Sequence, residues 1–167
     1  IDSNDAKKVN QEIYKLYEDL INKFNENLKE EIWFTLVEYK TYTNNNIISV
    51  VITTESAGTD VPIYNFYTYN FNLENGKLLS YNELYKMVGL NEDNITDKVT
   101  QAVTNSLKKE YSNGDDFDTY NNKSINNYKT SVNNNTIKFF IDENKKLNIV
   151  VMLEIPAGRG QFDTIIT

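Results

Sequence analysis

Tyr64 to Lys86 reads YNFYTYNFNLENGKLLSYNELYK. From Ile63 to Leu73 the residues alternate, setting Tyr67, Tyr69, Phe71 and Leu73 on one face and Tyr64, Phe66, Thr68, Asn70 and Asn72 on the other; a period of two predicts a strand. The first face reads as core. The second, aromatic at its start and amide-bearing at its end, suits solvent, a second layer or a binding surface. Asn75-Gly76 supplies a turn, and Ser80 followed three residues later by Glu83 has the spacing of a capping box opening a short helix through Val88, which Gly89 ends.

Before this stretch, Val9, Ile13, Leu16, Leu20, Phe24 and Leu28 recur at spacings of three and four, with Tyr17 and Ile21 widening the stripe. That pattern predicts a long amphipathic helix from Asp5 to about Glu31, docked on the core. Trp33–Tyr42 and Ile47–Thr54 are β-rich and separated by Asn44-Asn45-Asn46, where asparagine tolerates the left-handed backbone of a tight hairpin. After the stretch, Ile95, Val99, Val103 and Leu107 lie at intervals of four and predict a helix from about Glu92 to Tyr111. Ser112–Asn127 is polar and turn-rich and reads as a surface loop. Tyr128–Val132, Ile137–Ile141 and Leu147–Ile155 read as strands of a meander, with Phe162–Ile166 as a last one. The order predicts an α+β fold: an antiparallel sheet of about six strands with a long N-terminal helix and a central helical pair packed on it.

The whole chain, 1–167, reads as one domain, its length being enough for one well-packed core. A start without Met and an end in strand-like Ile165-Ile166-Thr167 lead us to expect a piece excised from a longer protein. No run of 18 or more apolar residues occurs in the chain, so membrane contact by this segment is not expected.

Lys and Arg total 17 against 24 Asp and Glu, a formal charge of −7. Arg159 is the sole arginine, which weighs against nucleic acid, since phosphate binding needs clustered cations; a cationic partner suits the balance better. With no Cys and no His, thiolate nucleophiles, the usual general base and the usual zinc ligands are missing. Asp115, Asp116 and Asp118 lack the Gly and terminal Glu spacing of an EF-hand, so neither a metal nor another cofactor is expected. A carboxylate pair for glycoside hydrolysis needs geometry that sequence cannot supply. Gly158-Arg159-Gly160 is too short for a phosphate-cradling loop and precedes a strand.

The string Tyr67-Thr68-Tyr69-Asn70-Phe71-Asn72-Leu73-Glu74-Asn75-Gly76-Lys77-Leu78-Leu79-Ser80, with Glu83-Leu84-Tyr85 after it, resembles the signature of the DUF3298 (RsiV-like) domain. Ile137–Glu143, Ile149–Val151 and Glu154–Gly158 look like that family's closing strands and loop. The resemblance implies an extracytoplasmic domain of a bacterial surface protein whose parent is membrane-anchored. It implies no catalysis but binding or sensing, as in lysozyme-sensing anti-sigma factors, or else an accessory role in a peptidoglycan deacetylase. The expected partner is a cationic protein such as lysozyme, or cell-wall glycan. Relatives carry Gly-Gly-Ala-His-Gly where this chain reads Glu55 to Pro62. The expected binding residues therefore lie on the departing loops and the adjacent strand face: Glu55, Asp60, Pro62, Tyr64, Phe66, Pro156, Arg159 and Gln161.

Overall fold

The computed structural model describes residues 2–27, 34–57, 63–111, 116–154 and 161–166, with 27, 34, 35, 56, 57, 63, 110 and 161–166 known by backbone alone. The elements run α1 (Asn4–Asn27), β1 (Phe34–Asn44), β2 (Ile47–Ala57), β3 (Ile63–Asn72), α2 (Tyr81–Met87), α3 (Glu92–Glu110), α4 (Asp116–Asn133), β4 (Lys138–Ile141), β5 (Leu147–Leu153) and β6 (Gln161–Ile166). The fold is α+β with a long N-terminal helix, as expected. The strands form not one sheet but two, each three-stranded and antiparallel, in the orders β1-β2-β3 and β4-β5-β6.

The hairpin pattern holds. A two-residue turn joins Asn44 to Ile47, and Asn45 takes the left-handed backbone (φ 48°) that asparagine tolerates. Beyond β3 the chain turns back at Gly76, whose φ of 70° would strain a side chain. Phe71 bridges to Leu78, and Leu79 N–H donates to the Asn70 carbonyl. The capping box forms as its spacing predicts: Ser80 Oγ accepts from Glu83 N–H, and Glu83 accepts from Ser80 N–H at 3.0 Å. Asn91 caps α3 by accepting from Asn94 N–H at 2.8 Å.

Two expectations between 112 and 132 fail together. Residues 116–133 form a helix, so the loop to Asn127 is largely helical and Tyr128–Val132 is the last part of α4, not a strand. Its inward positions include Ser124 and Tyr128, both buried, so part of the apolar stripe is replaced by small and hydroxylic groups. Ser124 Oγ donates to the Tyr120 carbonyl and accepts from Glu154 N–H, each at 2.8 Å, and Asn127 donates to the Glu154 carboxylate at 2.8 Å. The helices behind the second sheet are accordingly three, α2, α3 and α4, where a pair is expected from the sequence.

The larger core lies between these helices and one face of the β4–β6 sheet: Leu84, Ile95, Val99, Val103 and Leu107 pack against Ile141, Leu147, Ile149 and Val151. The other face of that sheet contributes Phe140 and Val150, which meet Val51, Tyr42 and Phe66 of the β1–β3 sheet. Strand β5 is thus buried on both sides, in keeping with its nearly continuous apolar run.

The sheets also meet through polar groups. Strand β4 crosses the first sheet: Phe139 N–H donates to Thr68 Oγ1 of β3 at 3.1 Å, Asn70 Nδ2 donates to the Phe139 carbonyl at 2.9 Å, and Ile141 N–H donates to Ser49 Oγ of β2 at 3.0 Å. Ser49 in turn donates to Asn70 Oδ1 at 2.6 Å. The outer edge of β4 is closed by side chains rather than a strand, and the amide-bearing face of β3 belongs to this interior. Its opposite face lies under α1, where Phe71 and Ile52 are buried and Val9 is the buried residue of the helix.

Candidate functional site

Three of the expected binding residues fall within one patch. Leu36, Glu55 and Tyr64 stand opposite one another across β1, β2 and β3. Even spacing places Leu36, Glu55, Tyr64 and Phe66 on the face of the sheet that β4 and β5 cover further along. Tyr64 is 36% exposed, and its hydroxyl donates to Glu55 Oε1 at 2.9 Å. That hydrogen bond, with a smaller effect of burial, pushes the Tyr64 phenol above its ordinary value, so the ring is neutral at any physiological pH. Phe66 is half-buried and packs against the cluster of Val51, Phe140 and Val150. It supports the patch from beneath.

Strand β6 touches β3 and pairs through Gln161 with Leu153, which brings its backbone to the same sheet. The Gln161 side chain lies outside the described residues, as do Asp60, Pro62, Pro156 and Arg159. The structure therefore unites Glu55, Tyr64 and Phe66 and adds Leu36, an exposed residue at 46% that the alternation of β1 alone did not mark as part of a site.

Two clefts were not legible in the sequence, because each is built from segments far apart in the chain. One, of about 440 Å³, lies between the end of β3, the start of α2 and Asn135 to Phe139. Its carboxylate, Glu83, is held at about 2 by the Lys77 ammonium and by the amide and hydroxyl of Ser80. It stays ionised at neutral pH and has no proton to give a substrate. Tyr81, in the same wall, meets Tyr128 hydroxyl to hydroxyl at 3.4 Å, and burial pushes its phenol well above the ordinary range. Besides the Glu83 carboxylate, the cleft offers neutral hydrogen-bonding groups and one cation, Lys138, without an acid and base of separated strength.

The second, of about 420 Å³, runs between α1 and the edge of β3, with Glu12, Lys15 and Asp19 on one wall and Tyr67, Tyr69 and Lys138 on the other. Burial, followed by the nearby Glu12 carboxylate, raises the Tyr69 phenol. Its charges of both signs favour no single class of ion.

Among the described residues no group of three or more Asp or Glu is placed to hold a metal ion, and no helix is long and apolar enough to cross a membrane. Asp116 and Asp118 instead occupy the first turn of α4, where carboxylates favour the positive end of the helix dipole. Comparison with protein-family models, with curated proteins and with solved structures returns no match to the chain.

Proposed function

We propose that the chain is a non-catalytic binding module of a bacterial envelope protein, displayed outside the cytoplasm, which captures a cationic protein at the Leu36–Glu55–Tyr64 end of its first sheet. One observation carries this reading: an exposed tyrosine ring is fixed by a hydrogen bond to a carboxylate whose cross-strand neighbour on its other side is an exposed leucine. Aromatic anchors with few rotatable bonds are favoured in protein recognition, and a carboxylate beside one answers a lysine or arginine of the partner. The net charge of −7 steers a cation toward the module. The string Tyr67–Ser80, resembling the DUF3298 signature, supports the same class of role. In the fold it makes the end of β3, the Gly76 turn and the capping box, so the resemblance bears on the scaffold more than on the patch.

A c-type lysozyme is the natural probe. Calorimetric titration of the 167-residue chain is expected to show binding that weakens steeply with added salt. Tyr64→Ala and Glu55→Gln are each expected to weaken it about tenfold, one well-placed contact being worth about 1.4 kcal/mol. No heat at low salt with both partners at high micromolar concentration defeats the lysozyme form of the proposal; binding to soluble wall fragments instead moves the module to the glycan-accessory class.

A further inference from the structure

The outer edge of β1 has no strand partner among the described residues. Natural edge strands are blunted by shortness, bulges, proline or charged side chains, and of these β1 carries only the charges, Glu38 and Lys40, which are opposite in sign. Here β1 runs for 11 residues, contains neither Pro nor Gly, and keeps an unbroken one-to-one register with β2. Tyr39 on this strand is 71% exposed and Leu36 46%. We propose that this edge pairs with the same edge of a second copy of the chain, antiparallel about a two-fold axis at Tyr39, giving a dimer with one continuous six-stranded sheet.

The charges along β1 select the partner and the register. A two-fold axis perpendicular to the sheet keeps its faces, so directly opposite residues share parity. Centring the axis on Glu38 sets Glu38 against its own copy, and centring it on Lys40 sets Lys40 against its own copy. The Tyr39 centre alone among these opposes Glu38 of each chain to Lys40 of the other, twice over. It also stacks the two Tyr39 rings on the opposite face and sets Leu36 against the second copy's Tyr42 at the flank of the seam, while Glu55 and Tyr64, on the inner strands β2 and β3, stay outside it.

The backbone fits this register. With a two-residue turn, Asn44 and Ile47 exchange both hydrogen bonds, so even-numbered residues of β1 bond to β2. The N–H and C=O groups of Val37, Tyr39 and Thr41 consequently point outward, ready to bond to the second copy.

Helix α1 supplies the remaining apolar surface. Tyr14, Tyr17, Ile21 and Phe24 are exposed at spacings of three, four and three, one stripe along the helix. Glu12, Lys15 and Asp19 face the groove at the β3 edge. At about 100° per residue the stripe points roughly the other way, toward the β1 edge, and α1 touches β1 on the face that carries Tyr39. Joining two β1 edges sets the two stripes toward each other over the joined sheet.

Sedimentation equilibrium of the 167-residue chain tests this directly. The expected result is a reversible monomer–dimer equilibrium. Glu38→Lys and Lys40→Glu should each raise the dissociation constant about tenfold, because each turns two attractive contacts into two repulsive ones. An equimolar mixture of the two variants, and the double swap E38K/K40E, should return it to near the wild-type value. Thr41→Pro removes an outward N–H without touching the β2 ladder and should give a monomer with unchanged circular dichroism. A wild-type chain that stays monomeric to high micromolar concentration overturns the proposal, as does a dimer that survives Thr41→Pro or ignores both charge reversals.

Discussion

Asn70 is 1% exposed yet bonded at both side-chain polar atoms, accepting from Ser49 and donating to the Phe139 carbonyl. Replacing it by Ala leaves that carbonyl without its donor and the Ser49 hydroxyl without its acceptor, both buried. Asn70→Ala is therefore expected to lower stability by about 2–3 kcal/mol, read as a reduced urea midpoint with an unchanged slope. A cycle with Ser49→Ala should show coupling of about 1 kcal/mol, since both residues serve one network. Glu83 predicts a pH effect. Its carboxylate is held at about 2, below the ordinary 4.5, by Lys77 and then by the Ser80 amide and hydroxyl. A depressed carboxylate stabilises the fold above its unfolded value, and the contribution fades as pH falls from about 4.5 toward 2. The stability gap between wild type and Glu83→Gln, measured by denaturant titration, should be open at pH 7 and close across that window. The residues behind this prediction were legible beforehand, because a capping box is local: Ser80 and Glu83 satisfy amides only three positions away. Asn70 was not. Its partners lie 21 and 69 positions distant, and alternation marked only which face it occupies.

Among the elements, α4 separates what periodicity reveals from what it hides. Helices α1 and α3 announce themselves through apolar residues every three or four positions. In α4 the buried positions include Ser124, whose bonds run to Tyr120 and Glu154. A small hydroxyl satisfied by the Glu154 amide, 30 residues later and just past β5, leaves no apolar signal, and the Asn-rich sequence around it imitates a loop. Thr130 tests the assignment, being exposed within the helix with its carbonyl accepting from Asn134 N–H at 2.9 Å. Thr130→Pro loses the amide and clashes with the preceding turn, so it should cost about 3 kcal/mol or more in thermal or urea unfolding. A surface loop tolerates the same change with little loss.

Across the whole molecule, the decisive feature is that the first sheet is covered on both faces, by α1 on one side and by the crossing β4–β6 sheet on the other. The fold class was legible from element order, but the split into two sheets was not. Alternation tells that two faces differ, not that the amide-bearing face of β3 meets another sheet through Thr68 and Asn70. The same covering limits the candidate site to the sheet end that stays open, at Leu36, Glu55 and Tyr64. The patch was legible only in part. Tyr64 and Glu55 stood beside a loop that departs from the resembled family, whereas the place of Leu36 depended on the strand register. Recognition of a cationic protein by this end is what the open patch is proposed to achieve. Chemical-shift mapping of the isotope-labelled chain during addition of c-type lysozyme tests it most directly. Salt-sensitive shifts are expected to concentrate on Leu36, Glu55, Tyr64 and Phe66; shifts confined to Asn135–Phe139 and α2, or no shifts at low salt, rule such recognition out.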